Sequence, residues 1–305
     1  YCLWQVDALG ARYKHPTLSI KERGQWHSRF KRHETKIHEG EYGPDICTNH
    51  ATEFMEEHRD TSFFIYYPMN LPHSPFQPTP DSPEYDSWDP SKTPYKDNKG
   101  RLDDTAYFQD MVEYIDMIVG RFVNKVHELG ISENTLIIFT TDNGTDTRIV
   151  SSYKGRKIQG DKGHTTKYGT KVPLIAYWNG VIESDQVNDN LIDFTDFLPT
   201  FMDVANAELP EDFHTDGISF YKQLLNEETE VRDWIFCSYD PNWGEFESKK
   251  YVHNKKWKLY GDGAFYNIEK DPEESNPLLD SALTPTARIV KKHFSKVLKK
   301  YNYSD

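Results

Sequence analysis

The chain has 305 residues, long for one ordinary domain and enough to bury a large core. Its net charge of −13 argues against a general nucleic-acid binder, which needs a basic face, and no apolar stretch approaches the roughly 18 residues that suggest a membrane span. The three cysteines, Cys2, Cys47 and Cys237, are too few and too scattered for a disulfide framework or a cysteine-based zinc site.

In chain order, a helix is predicted over about Asp45–Arg59, followed by a buried strand at Ser62–Tyr67 (SFFIYY). Residues 74–103 carry Pro75, Pro78, Pro80, Pro83, Pro90 and Pro94, which predicts a long loop directly after that strand. Tyr107, Met111, Tyr114, Ile115, Ile118, Phe122, Val126 and Leu129 recur at helical spacing and predict a helix over about Asp104–Leu129. Thr135–Thr141 (TLIIFTT) and Pro173–Trp178 (PLIAYW) read as two more buried strands, with a helix over about Leu191–Ala205 after them. This alternation predicts an α/β domain with a mostly parallel central sheet flanked by helices. From about Asp212 short segments such as Trp234–Tyr239 and Trp257–Tyr260 are punctuated by Gly and Asn, and a basic helix follows over about Thr284–Tyr301. The expected division is therefore residues 1–211, an α/β domain, and 212–305, a small α+β subdomain. No internal repeat is evident.

Ligands in open α/β sheets sit beyond the carboxyl ends of the strands. Three polar features fall at or beside such ends: His73 after the first strand, Asp142-Asn143 after the second, and Lys162 in the segment leading into the third. Asn143-Gly144 is a strong turn signal, so Asp142-Asn143 reads either as a turn or as a pair of hard oxygen ligands suited to Ca²⁺ or Mg²⁺. His73 and Lys162 are residue types that hold a tetrahedral anion and protonate a departing oxygen, or else a packed loop residue and a solvated charge. Asn143-Gly144-Thr145 also fits the glycosylation pattern.

Between Thr147 and Lys171, Arg148, Lys154, Arg156, Lys157, Lys162, Lys167 and Lys171 face a single acid, Asp161. On an acidic chain this is a local inversion, either a solvated basic loop or a funnel for an anionic substrate. His214, Tyr239, Asp240 and Trp243 offer polar and aromatic side chains of the sort that hold sugars, with packing and turn chemistry as the alternative.

Four stretches agree in type and order with one family: Tyr42-Gly43-Pro44-Asp45, FFIYYPMNLPHSPF, NTLIIFTTDNG and KGHTTKYGTKVPLIAYWNG. The chain resembles the sulfatases of the alkaline-phosphatase-like superfamily, and HTDGISF and WKLYGDGAFYNIEKDPEE resemble that family's C-terminal region. The resemblance implies an alkaline-phosphatase-like fold in which Asp142 and Asn143 ligate a divalent metal, Ca²⁺ with Mg²⁺ as the alternative. His73 and Lys162 would bind the sulfate and assist departure of the alcohol. A ligating Asn143 would not be available for glycosylation. The substrate implied is an anionic sulfate ester, preferably on a glycan.

The departure from the family is large. Its Cys-x-Pro-x-Arg segment, whose first residue is oxidised to formylglycine, has no match, since Cys2 leads into Leu-Trp-Gln, Cys47 into Thr-Asn-His and Cys237 into Ser-Tyr-Asp. The paired acidic metal ligands and the Gly-Lys-Trp-His-type segment are also missing. The chain is therefore identified as the C-terminal part of a sulfatase, with the formylglycine expected upstream of Tyr1 in a missing N-terminal half. The alternatives are a metal-dependent phosphodiesterase or phosphonate hydrolase of the same superfamily, or an inactive anion- or glycan-binding remnant. By resemblance the setting is periplasmic, extracellular or lysosomal, although this chain carries no targeting signal.

Overall fold

A computed structural model of the protein describes residues 2–5, 13–21, 35–88, 103–241 and 245–301. The chain divides into two units, Tyr1–Ile137 and Ile138–Asp305.

The first unit begins with an antiparallel meander of β1 (Cys2–Gln5), β2 (Thr17–Lys21) and β3 (Thr35–Ile37), in which Leu3 pairs with Ile20 and Leu18 with Lys36. Helix α1 (Gly43–Glu57) follows, with Pro44 in its first turn, where a missing N–H costs nothing. Asp45, in that same turn, accepts from Tyr114 Oη and Arg121 Nη1, both at 2.7 Å, and so ties α1 to α2 (Phe108–Glu128). Helix α2 buries Met111, Tyr114, Ile115, Ile118 and Val126, a single stripe at helical spacing. Each fully buried side chain of this kind contributes roughly 1.5–3 kcal/mol relative to exposure. Asp104 ends the predicted α2 at its start: its carboxylate accepts from Ala106 N at 3.0 Å, and a 3₁₀ turn, Thr105–Tyr107, precedes the α-helix.

Ser62–Tyr67 is a correction to the predicted strands. The segment is extended and its exposure alternates with period two, but among the described residues it joins no ladder. Phe64 and Tyr66 are 68% and 80% exposed. The side-chain pattern is that of a strand, but a strand is defined by its ladder, and among the described residues this segment pairs with none. The proline-rich loop after it is closed at its base, where buried Asp103 accepts from Phe76 N at 2.7 Å and Asp104 N donates to Phe76 O at 3.0 Å.

Strand β4 (Ile137–Thr140), which starts at the last residue of the first unit, pairs with β7 (Leu174–Tyr177). Both were expected to be buried, yet β4 is half-buried throughout and Ile175 on β7 is 60% exposed, because these two strands form a sheet of only two among the described residues. The segment between them holds a hairpin, β5 (Val150–Tyr153) and β6 (Arg156–Gln159), turned by Lys154 and Gly155 at φ +49° and +76°. Two successive positive φ values match the twist of the flanking strands. The short helix α3 (Lys167–Thr170) precedes β7.

The helix predicted from Leu191 begins later. Asp193 and Asp196 form a capping box over a 3₁₀ turn, Phe194–Asp196, and α4 (Phe197–Val204) runs on from it. After α5 (Tyr221–Leu224) come β8 (Ile235–Tyr239), β9 (Lys249–His253), β10 (Trp257–Tyr260) and β11 (Phe265–Asn267), an antiparallel sheet in the order β11-β10-β9-β8. Helix α6 (Pro285–Tyr301) buries Ala287, Phe294, Val297 and Leu298 in one core with Val252, Trp257, Leu259 and Phe265. Among the described residues no helix is long and apolar enough to cross a membrane.

Candidate active site

Strand β4 delivers Asp142 and Asn143 just past its carboxyl end, Asp142 exposed and Asn143 half-buried. Gly144 N donates to Gly169 O at 2.9 Å, and a Cβ on Gly144 would lie 1.9 Å from Tyr168 O. Gly144 does not adopt a left-handed backbone. The glycine is thus required by the close approach of residues 168–169 and not by a turn of positive φ. Beside it, Lys162 N donates to Thr145 O at 3.0 Å and Gly160 N to Ile149 O at 2.9 Å. A Cβ at Gly160 would fall 2.2 Å from Asp146 O, and one at Gly169 2.2 Å from His164 O. Three glycines let the chain just past Asp142-Asn143 and the Lys162 loop lie backbone against backbone.

The electrostatics of that place are set by one half-buried ion pair and several cations outside it. Asp146 accepts from Arg148 N, Nε and Nη2, each at 2.9 Å. Burial pushes the Asp146 carboxyl up, but these bonds and the charges of Arg148 and Lys162 outweigh it and hold the group below its ordinary range. Lys154, Arg156, Lys157, Lys162, Lys167 and Lys171 make no ion pair among the described residues. The side chains of Asp142 and Asn143 are committed to no hydrogen bond among the described residues, and an Asp carboxylate and an Asn amide oxygen are hard donors.

The Lys162 loop has an internal frame that sequence reasoning missed. Asp161 Oδ1 lies 2.9 Å from His164 Nδ1, and Asp161 Oδ2 accepts from the Thr166 hydroxyl. Gly163 has φ +92°, and a Cβ there would meet the Phe246 ring at 2.4 Å. His164 packs edge-on to Phe246 with ring centroids 5.2 Å apart.

His73 belongs to the other unit. His73 N donates to Asn70 O at 3.0 Å, and the hydroxyl of fully buried Tyr13 reaches Asn70 O at 3.0 Å and also His73 O. The ring is exposed, with Nδ1 2.5 Å from Ser74 O. A carbonyl can only accept, so Nδ1 carries a hydrogen there.

Of the other predicted contacts, Tyr239 donates its hydroxyl to Gly163 O at 2.6 Å, which places it one residue from Lys162. Asp240 is exposed and accepts from the Ser248 hydroxyl. His214 is exposed, and no contact among the described residues links it to the cluster. Trp243 lies outside the described residues. No group of three or more His, Cys, Asp or Glu able to hold a metal occurs among the described residues.

Comparison with known proteins gives two family matches, "Sulfatase" over residues 11–207 and "N-sulphoglucosamine sulphohydrolase, C-terminal" over residues 159–302. Relatives include the uncharacterized sulfatase YdeN of Escherichia coli, 27% identical over 74% of this chain and 42% of its own length. A sulfatase of Formosa agariphila is 31% identical over 72% of this chain and 42% of its own length. The N-acetylgalactosamine-6-sulfatase of Mus musculus is 24% identical over 81% of this chain and 52% of its own. The chain thus spans about half the length of the curated relatives it matches. Among solved structures, a protein in complex with its substrate D-glucosamine-2-N,6-O-disulfate superposes with TM-score 0.70 at 17% identity, over 100% of this chain and 77% of that one. The PsFucS1 sulfatase of Pseudoalteromonas sp. superposes with TM-score 0.54 at 24% identity, over 86% of this chain and 54% of that one. The fold shared with such structures is the α/β fold of the alkaline-phosphatase-like proteins.

Proposed function

The chain belongs to the sulfatase family, and from that premise we propose that it carries part of the site of a sulfuric ester hydrolase acting on a sulfated glycan. The observation that supports this most is the main-chain bond from Lys162 N to Thr145 O at 3.0 Å, which ties the Lys162 segment to the residues just past Asp142-Asn143 at the end of β4. Segment 212–305 would be the small C-terminal subdomain of that enzyme. The formylglycine nucleophile and the remaining metal ligands are assigned to sequence outside this chain, and the setting to a periplasmic, extracellular or lysosomal compartment.

The donor chemistry suits a hard cation: Asp142 and Asn143 would supply two of its oxygen ligands, with Ca²⁺ favoured over Mg²⁺. Bound there, the cation would supply Lewis-acid polarisation of the sulfuryl oxygens. The ammonium of Lys162 would neutralise charge as it grows on the sulfate oxygens while the S–O bond lengthens. At His73 the Nδ1–H bond to Ser74 O fixes the ring, so the proton passed to the departing alcohol would be carried on Nε2. The cations of residues 148–171 would draw an anionic chain toward this place. His214, Asp240 and Trp243 are proposed glycan contacts. A glycan is preferred to an aryl sulfate because the match to an N-sulphoglucosamine sulphohydrolase C-terminal region and the N-acetylgalactosamine-6-sulfatase relatives both name sulfated amino sugars.

The test is sulfate release from sulfated oligosaccharides by the complete natural protein, with peptide mapping for a Cys-x-Pro-x-Arg peptide carrying an aldehyde. Lys162→Ala and His73→Ala should each lower kcat by about 10²-fold or more. Phosphate released from phosphodiesters without sulfate release would favour the phosphohydrolase alternative. Tight binding of the oligosaccharide with no turnover would leave a binding remnant.

A further inference from the structure

The two faces of β10 do different work. Trp257 and Leu259 point into the core beneath α6, while Lys258 and Tyr260, by the two-residue period of a strand, face the other way. Lys258 is 2% exposed, with its ammonium 4.0 Å from the Tyr251 ring centroid and 4.8 Å from that of Tyr260. It donates to Glu274 Oε1 at 2.8 Å and to the carbonyl oxygen of Thr165. Tyr260 donates to Glu274 Oε2 and so accepts from the Thr165 hydroxyl at 2.8 Å. Two residues earlier in the same loop, Gly163 O accepts from Tyr239 at the end of β8.

Burying an ion pair against a main-chain carbonyl is seldom the most stable use of a sheet face, since apolar residues of similar volume often do as well or better. Glu274 also holds a left-handed backbone, φ +54°, which a non-glycine residue adopts only when its surroundings compel it. The bonds of Lys258 and Tyr260 fall on Thr165 and that of Tyr239 on Gly163, immediately after Lys162. The Lys162 backbone is then fixed on two sides, by its own N–H on Thr145 O and by the pinned carbonyl of Gly163.

We propose that Tyr239, Lys258, Tyr260 and Glu274 form a clasp that fixes the Lys162 loop, and are positioning residues for Lys162. The catalytic part of this rests on the reading of Lys162 as a sulfate-binding residue. The clasp itself is a statement about the loop and is measurable without turnover.

The experiment uses Tyr239→Phe, Glu274→Gln and Lys162→Ala in the complete natural protein, together with the double variant Lys162→Ala/Tyr239→Phe. Hydrogen exchange over residues 161–169 should speed up about tenfold or more in Tyr239→Phe, which keeps the ring and removes one hydroxyl. Its kcat for sulfate release should fall by about tenfold with a smaller change in KM. The double variant should be no slower than Lys162→Ala alone, because a clasp that acts through Lys162 has nothing left to position. Additive losses would mean a general structural effect and overturn the proposal. Unchanged exchange in both Tyr239→Phe and Glu274→Gln would overturn the clasp whatever Lys162 does. Wild-type turnover in Lys162→Ala would instead remove the reading of Lys162 and, with it, the catalytic part of the proposal, while exchange still decides the clasp. If Glu274→Gln fails to fold, Tyr239→Phe alone carries the test.

Discussion

Gly144 and Gly169 meet backbone to backbone, the N–H of the first on the carbonyl of the second at 2.9 Å. A methyl group at 144 would be driven into the Tyr168 carbonyl, 1.9 Å away, and backbone cannot yield as the end of a flexible side chain can. Gly144→Ala should therefore cost about 3 kcal/mol or more. Gly120, inside α2, has open space around its Cα and no positive φ. Gly120→Ala should stabilise by about 0.5–1 kcal/mol. Denaturant unfolding of the two variants checks both signs, and equal midpoints would remove the close approach as the reason for Gly144.

How much of this was legible depends on the distance over which each feature is decided. Helix α2 was readable because its stripe is written in local spacing, and the end of β4 because an apolar run stops on Asp142-Asn143. The close contacts of Gly144, Gly160 and Gly169 were not, since a glycine announces freedom or proximity without naming its neighbour. Nothing local in the Trp257–Tyr260 segment says that Lys258 is buried between two tyrosines beside Glu274. Ser62–Tyr67 failed in the opposite sense: its pattern is right, but a ladder needs a partner that periodicity cannot supply.

Arg232 and Asp196 form a buried pair whose side chains are 8% and 2% exposed. Asp196 also accepts from Ile218 N at 2.7 Å and Asp193 N at 2.8 Å, so it joins the start of α4 to the segment before α5. Arg232→Met leaves a carboxylate buried without its counter-charge and should cost about 3–5 kcal/mol. Thermal unfolding measures this, and a loss below about 1 kcal/mol would show that the pair is solvated in solution.

Burial pushes His253 down to about 4, with its Nδ1 3.2 Å from Asn254 O and the charge of Lys258 acting in the same direction as burial. The folded chain then binds this proton less readily than the unfolded chain, whose histidine titrates near 6.5. The stability from keeping the ring neutral is complete above about pH 6.5, is lost as pH falls toward about 4, and is flat below that. The gap is worth up to about 3 kcal/mol. His253→Gln should flatten the stability difference between pH 7 and pH 4.5 relative to wild type, and parallel curves would place the titration elsewhere.

Tyr13 holds the turn that presents His73 through one hydroxyl shared by two main-chain carbonyls. Tyr13→Phe keeps the buried ring and removes the hydroxyl bonds to the two carbonyls, at a cost of about 1–2 kcal/mol. Hydrogen exchange over residues 69–75 should rise in the variant. If stability drops and that exchange does not move, the hydroxyl supports the core and not the turn.

Asp142 and Asn143 make their strongest test through binding, because stability answers whether or not turnover is present. In the complete natural protein, Ca²⁺ at about 100 times its dissociation constant should stabilise the fold by about 2.7 kcal/mol. Asp142→Ala removes the charged donor and should abolish most of that rise. Lys162→Ala removes a neighbouring cation and no ligand, so its rise should persist or grow. A wild-type protein indifferent to Ca²⁺ and to Mg²⁺ would leave Asp142-Asn143 as the end of a strand, held where it is by the approach of Gly169 to Gly144.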